Sequence, residues 1–109
     1  MNSDSQLLPG TLFLLILRSL AHGPLHGYAI AKRIRESSGD SLLVEEGSLY
    51  PALNRLLVKG WATAEWGVSA NNRRARFYTL TREGRKQLET EGKEFDKLVR
   101  AIQSVMRTA

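Results

Sequence analysis

The chain has 109 residues, 42% apolar and 25% charged, which suits one domain with a single core and is too ordinary a composition for a disordered segment. It has no cysteine, so disulfide frameworks and thiolate metal sites are excluded. Sixteen basic residues against eleven acidic ones give a formal charge of +5, a sign that favours nucleic acid or an anionic surface as partner.

The longest uninterrupted apolar run, Leu12 to Leu17, is far short of the roughly 20 residues a membrane span needs. The start Met-Asn-Ser-Asp lacks the basic region of a signal peptide. A cytoplasmic protein with no membrane partner is expected. In "LLPGTLFLLILRSLAHGP" a proline and a glycine precede a run that is apolar on nearly every side, and Gly23 and Pro24 stop it, which predicts a buried helix from about Thr11 to His22. A second helix follows in "HGYAIAKRIRESSG", with Ile30 and Ile34 on the packing face and Gly39 as a left-handed terminator. Tyr28 and Lys32 fall on the opposite, available face.

The third helix is predicted in "EEGSLYPALNRLLVKG", with Ser48 as the cap, Pro51 in the first turn and Gly60 as the end. At about 100° per residue, Leu49, Leu53, Leu56 and Leu57 share one arc, and Tyr50, Pro51, Asn54, Arg55 and Val58 share the other. That second arc offers a phenol, a carboxamide and a guanidinium, groups that read base edges and bind phosphate. Glu45 and Glu46 complement the positive end of the helix. Alternation then replaces helical periodicity: "WATAEW" and "ARFYTLT" read as strands of a hairpin joined by "GVSANNRR". Its tip, "NNRRAR", holds Arg73, Arg74 and Arg76 with Asn72 and no acid.

Thr81 is placed to cap a final helix with Glu83 in its first turn. Leu88, Phe95 and Ile102 recur seven apart along it, with Leu98 or Val99 and Val105 or Met106 between, a coiled-coil-like stripe wanting a partner helix. Glu89 with Lys93 and Asp96 with Arg100 have ion-pair spacing on the wet side. Gly92 interrupts the stripe and permits close approach or a bend.

Three helices, a hairpin and a further helix is the order of a winged helix-turn-helix domain. The expected fold is therefore mainly α with a small β-hairpin: a winged helix over residues 1–81 and a C-terminal dimerisation helix over 82–109, in one structural unit. In that arrangement the third helix enters the major groove of duplex DNA, and the wing arginines grip phosphate or a narrow minor groove. Lys59, at the end of the third helix, joins Ser48 and the wing in fixing register on the backbone.

Through "LHGYAIAKRI", "EEGSLYPALNRLLVKGW", "AEW" and "RRARFYTLTREGR" the chain resembles the PadR-like transcriptional regulators, in particular the small subgroup with one C-terminal helix. The resemblance implies a homodimeric regulator, usually a repressor, on an inverted-repeat operator, and several relatives release DNA when a small molecule binds. It places DNA contacts on Ser48, Tyr50, Pro51, Asn54 and Arg55, on Tyr28 and Lys32, and on Arg73, Arg74 and Arg76. The expected partners are double-stranded DNA, a second copy of the chain and an effector of unknown identity. Trp61 stands where relatives often carry an aliphatic residue, which leaves open whether Trp61 or Trp66 lines a ligand pocket; core and hairpin packing is the plainer role for both.

No cofactor is expected. His22 and His26 are four apart, but Gly23 and Pro24 break the helical geometry of a metal pair. No phosphate-binding glycine loop, nucleophile elbow or spaced acid pair marks an enzyme. The alternative to a DNA-binding regulator is a winged helix that docks its basic hairpin on an acidic protein.

Overall fold

A computed structural model describes residues 10–108. The expected start signals at residues 1–9, Pro9 among them, lie outside the described part, as does residue 109. Helix α1 spans Thr11–Ser19 and tightens into a 3-10 turn over Leu20–His22. Strand β1 (Leu25–His26) leads directly into α2 (Gly27–Ser37), and α3 covers Glu46–Val58. The hairpin strands are β2 (Ala62–Val68) and β3 (Arg74–Leu80), and α4 runs from Arg82 to Arg107.

The core forms where the apolar faces of these elements converge. Ile16, Leu17 and Leu20 come from α1 and its terminal turn, Ile30 and Ile34 from α2, Leu49, Ala52, Leu53 and Leu56 from α3, and Ala62, Tyr78 and Leu80 from the hairpin. The leucine arc expected on α3 is thus the buried one, with Leu57 half-buried at its edge.

Three local expectations are corrected. The sheet has three strands rather than two, in the order β1-β3-β2, because Leu25 and His26 pair with Tyr78 and Phe77. A two-residue strand has no alternation to read and is defined only by its partner. Helix α3 starts earlier than a Ser48 cap implies: Glu45 is the N-cap, with no side-chain cap bond, and its carbonyl accepts from the amides of both Ser48 and Leu49 at 3.0 and 2.9 Å. Pro51 consequently lies in the second turn, where its missing N–H leaves the Gly47 carbonyl without its helical donor. On α4 neither expected ion pair closes; among the described residues the pair within 4 Å is Arg35–Asp40, at 3.7 Å on the surface.

The hairpin closes in register from Ala62↔Leu80 to Val68↔Arg74. Beyond it the Ser69 amide donates to the Arg73 carbonyl at 2.8 Å and the Asn72 amide to the Ser69 carbonyl at 2.9 Å, leaving a loop of Ala70, Asn71 and Asn72. Asn72 has φ 59°, the left-handed residue that a three-residue hairpin loop requires. Gly67 is covered by the Phe77 ring, which approaches to within about 3.0 Å of where a Cβ would stand.

A tight joint ties α4 to the wing. The Thr81 side chain accepts from the Gly84 amide at 3.0 Å and donates to the Gly60 carbonyl at 2.7 Å, while the Thr81 amide donates to the Trp61 carbonyl at 3.0 Å. Gly84 is buried, and a Cβ there would overlap the Trp61 carbonyl and the Leu80 side chain. Leu88 packs against the core, so the first turns of α4 belong to the globule. The rest projects: Phe95, Leu98, Ile102, Val105 and Met106 are all exposed, and Val99 is half-buried.

Candidate nucleic-acid interface

Helix α2 presents Tyr28 and Lys32 because Ile30 and Ile34 commit its other face to the core. Its start is fixed by His26, whose Nδ1 accepts the Ala29 amide at 3.2 Å. The same imidazole stacks with Tyr28 at 6.3 Å and meets the Phe77 edge at 5.3 Å, joining α2 to the middle strand. His26 is therefore the N-cap of α2. Among the described residues no group of three or more potential metal-ligating side chains comes together.

On α3, Tyr50 is 46% exposed, and Ser48, Pro51, Asn54, Arg55 and Lys59 are exposed with it. This outer arc is subdivided. Asn54 lies one turn beyond Tyr50 on nearly the same line, while the Arg55 guanidinium turns toward α1 and rests on the Phe13 ring at 4.9 Å. Lys59 lies over Trp61 at 5.3 Å, and Trp61 itself packs against the core as expected. Glu46 in the first turn of α3 complements the positive helix end, also as expected. The Tyr50 phenol is pushed above its ordinary pKa by partial burial, with the charges of Glu46 and Tyr78 adding to the effect. It stays protonated, and able to donate, through neutral and mildly alkaline pH.

The wing arginines differ from a simple charged tip. Arg73 closes the loop, but Arg74 and Arg76 are strand residues opposite Val68 and Trp66. Cross-strand partners share a face, so Trp66, Val68, Arg74 and Arg76 all stand on the side that carries Ala62, Tyr78 and Leu80 into the core nearer α3. Toward the tip that face leaves the globule and opens on a groove of about 850 Å³, walled by α2, Tyr50 and the wing. The groove gathers Tyr28, Lys32, Tyr50, Arg73, Arg74 and Arg76. Asn54 and Pro51 continue the surface along the outer arc of α3, Arg55 lies at its flank, and Ser48 and the C-cap Lys59, exposed but about 160° and 180° round the helix from Tyr50, stand apart from the groove, while Asn72 shapes the tip.

Two residues of this region were missed by sequence reasoning. Trp66 is 60% exposed and lines the groove: Trp61 packs against the core, whereas Trp66 packs only within the hairpin, under the Arg74 guanidinium. Gly27 is the other. The Tyr50 ring lies across it, with the hydroxyl 2.8 Å and Cε1 2.9 Å from the position a Cβ would take. Only a residue without a side chain lets the phenol settle there, a constraint invisible without the α2–α3 crossing.

Gly27→Ala should therefore displace Tyr50 while leaving the fold intact, because Gly27 has no positive φ to defend and Tyr50 has surface to move into. Stability should change by less than about 1 kcal/mol. Duplex affinity should fall by about 1–2 kcal/mol, as for loss of one specific contact. Thermal denaturation beside fluorescence anisotropy checks both; unchanged binding would remove Tyr50's pose from the interface.

A winged helix-turn-helix with a projecting C-terminal helix is the class that this fold and groove define. The chain belongs to the PadR-like family of transcriptional regulators, which it matches over residues 16–90. It is similar to a PadR family transcription regulator from Clostridium difficile, at 29% identity over 89% of this chain and 99% of that one, with a TM-score of 0.77. A transcriptional regulator from Clostridium thermocellum is 28% identical over 87% of this chain and 92% of that one, with a TM-score of 0.79. An uncharacterized 37.1 kDa protein in a transposon of Streptomyces fradiae is 41% identical over 85 residues, 78% of this chain but only 23% of that protein, so the chain spans about a quarter of that relative.

Proposed function

We propose that the protein is a sequence-specific repressor that binds duplex DNA as a homodimer. The observation that carries this reading is the groove between α2, Tyr50 and the wing, where a phenol able to donate stands beside three arginines and a lysine, with no acidic residue in its walls. Tyr50 and Asn54, adjacent on the outer arc of α3, are assigned to base edges in the major groove, with Arg55 at their flank. Ser48, Pro51, Lys59, Tyr28, Lys32 and the wing arginines fix register on the sugar-phosphate backbone.

The C-terminal segment, residues 82–109, acts through α4 (Arg82–Arg107) as the dimerisation element of the winged domain. The support is the exposed stripe from Phe95 to Met106, an apolar face too long for one small globule to cover. Two-fold pairing sets the recognition helices about one DNA turn apart and demands a pseudo-palindromic site. A small molecule that prefers a dimer with a different spacing would release the DNA.

Selection of bound duplexes from genomic fragments tests the reading. Wild-type protein should enrich an inverted repeat, and Asn54→Ala should blur its sequence preference by about 1–3 kcal/mol at the contacted base pair while the salt dependence stays as it was. Enrichment of no duplex at all would move the function to docking on an acidic protein.

A further inference from the structure

Trp66 occupies an unusual place for a large aromatic residue. It is 60% exposed, stands on the groove-facing side of β2, and is directly opposite Arg76 in the ladder. Arg74, two residues away on β3 and on the same face, lays its guanidinium over the indole at 4.6 Å from the ring centre. Val68, the partner of Arg74 across the ladder, is exposed beside them. Burial does not explain such a tryptophan, and the sheet does not need its bulk, since the hairpin register runs past it unbroken to Val68↔Arg74.

The stack has a consequence for Arg74 alone. A free arginine samples many rotamers and gives up that freedom when it meets a phosphate. A guanidinium laid flat on an indole has already given up much of it, while its edge N–H groups still point outward and can donate. Arg73, at the loop, and Arg76 have no such aromatic contact among the described residues, so the three wing arginines are not equivalent.

We infer that Trp66 is a positioning residue for DNA binding: it holds the Arg74 guanidinium against the wing in the pose that meets the backbone of the duplex. This inference rests on the DNA-binding reading above and assigns Trp66 no base contact of its own. The two copies in a dimer act together, so the orientation of Arg74 by Trp66 is worth about five- to thirtyfold in affinity, as expected for two exposed cation–π contacts.

A mutant cycle on a labelled mixed-sequence duplex of about 30 base pairs reads this directly, since backbone contacts do not depend on sequence. Trp66→Leu should weaken binding about five- to thirtyfold, and Trp66→Phe, which keeps a π face, should recover most of the loss. Arg74→Ala should weaken binding and reduce the salt slope by about two units for the dimer. In the Arg74→Ala background Trp66→Leu should cost nothing further.

Free protein gives a second readout. With Trp61→Phe removing the other indole, Arg74→Ala should raise the acrylamide quenching of Trp66 emission. Wild-type affinity in Trp66→Leu, or a loss of equal size with and without Arg74, overturns the inference while leaving DNA binding in place. If Arg74→Ala itself changes neither affinity nor salt slope, the wing is not on the phosphates and the inference fails with that part of the proposed function.

Discussion

With Phe95 and Ile102 both changed to Asp, the protein is expected to sediment as a 12.2 kDa monomer and to lose duplex affinity by about two to four orders of magnitude. Neither residue belongs to the core cluster, so the winged domain should keep its fold. Both stand on the exposed stripe of α4 seven residues apart, where a paired helix would bury them. The double change places four unpaired carboxylates in the seam of a dimer, and each buried charge without a partner costs several kcal/mol. The affinity loss follows because a linked second half-site adds an effective concentration in the millimolar range, which a monomer forfeits. Sedimentation velocity and anisotropy titration on one inverted-repeat duplex measure the two effects. A variant that stays dimeric with wild-type affinity would mean that α4 is not the interface.

The second large effect is expected from Arg73, Arg74 and Arg76 changed together to Ala. If each subunit of the proposed dimer neutralises three or four phosphates, the wild-type protein should lose affinity against log salt with a slope of roughly −5 to −7. Removing three cations from each subunit takes away about five units of that slope, and at 0.15 M salt about three to four orders of magnitude in affinity. The loss should fall on every duplex alike, because backbone contacts carry no sequence information. All three side chains are exposed, so thermal stability should move little. A triple variant with a steep residual slope would place the phosphate contacts elsewhere, with α2 and Lys32 the first alternative.

Most of the architecture was legible because it rests on periodicity. Ile30 and Ile34 four apart, and the leucine arc of α3, commit one side of each helix to the core, and the residues left over are the exposed ones in the structure. Thr81 was legible as a cap because a hydroxyl before a long polar-apolar repeat has few other local roles. Ser48 misled by the same logic: local preference ranks serine over glutamate as a cap, but packing of Leu49 against the core extends the helix back to Glu46.

What stayed illegible depends on neighbours distant in sequence. Strand β1 exists only through its pairing with Tyr78 and Phe77, and the division of the wing arginines between loop and strand follows from the closing pair Ser69–Arg73. Trp66 reads as packing by hydrophobicity, yet the hairpin carries it beyond the edge of the globule. Gly27 has meaning only where α3 crosses α2. The twelve residues expected at a DNA interface are all exposed, while the division of labour among them came from geometry: Arg55 leans on Phe13, Asn72 turns the chain, and Arg74 rests on an indole.

The joint at Thr81 and Gly84 has a mechanical implication. Stitched to Gly60 and Trp61 with no room for even a methyl group, the first turn of α4 has no slack against the wing, so the two meet as a crank and its handle. A 26-residue helix is about 39 Å long, and tilting such an arm by about 5° carries its far end through about 3 Å, close to the rise of one base pair. In the proposed dimer, a change in how two such arms cross would therefore be geared into the phase of the reading heads along the duplex, with no slack at the joint to absorb it.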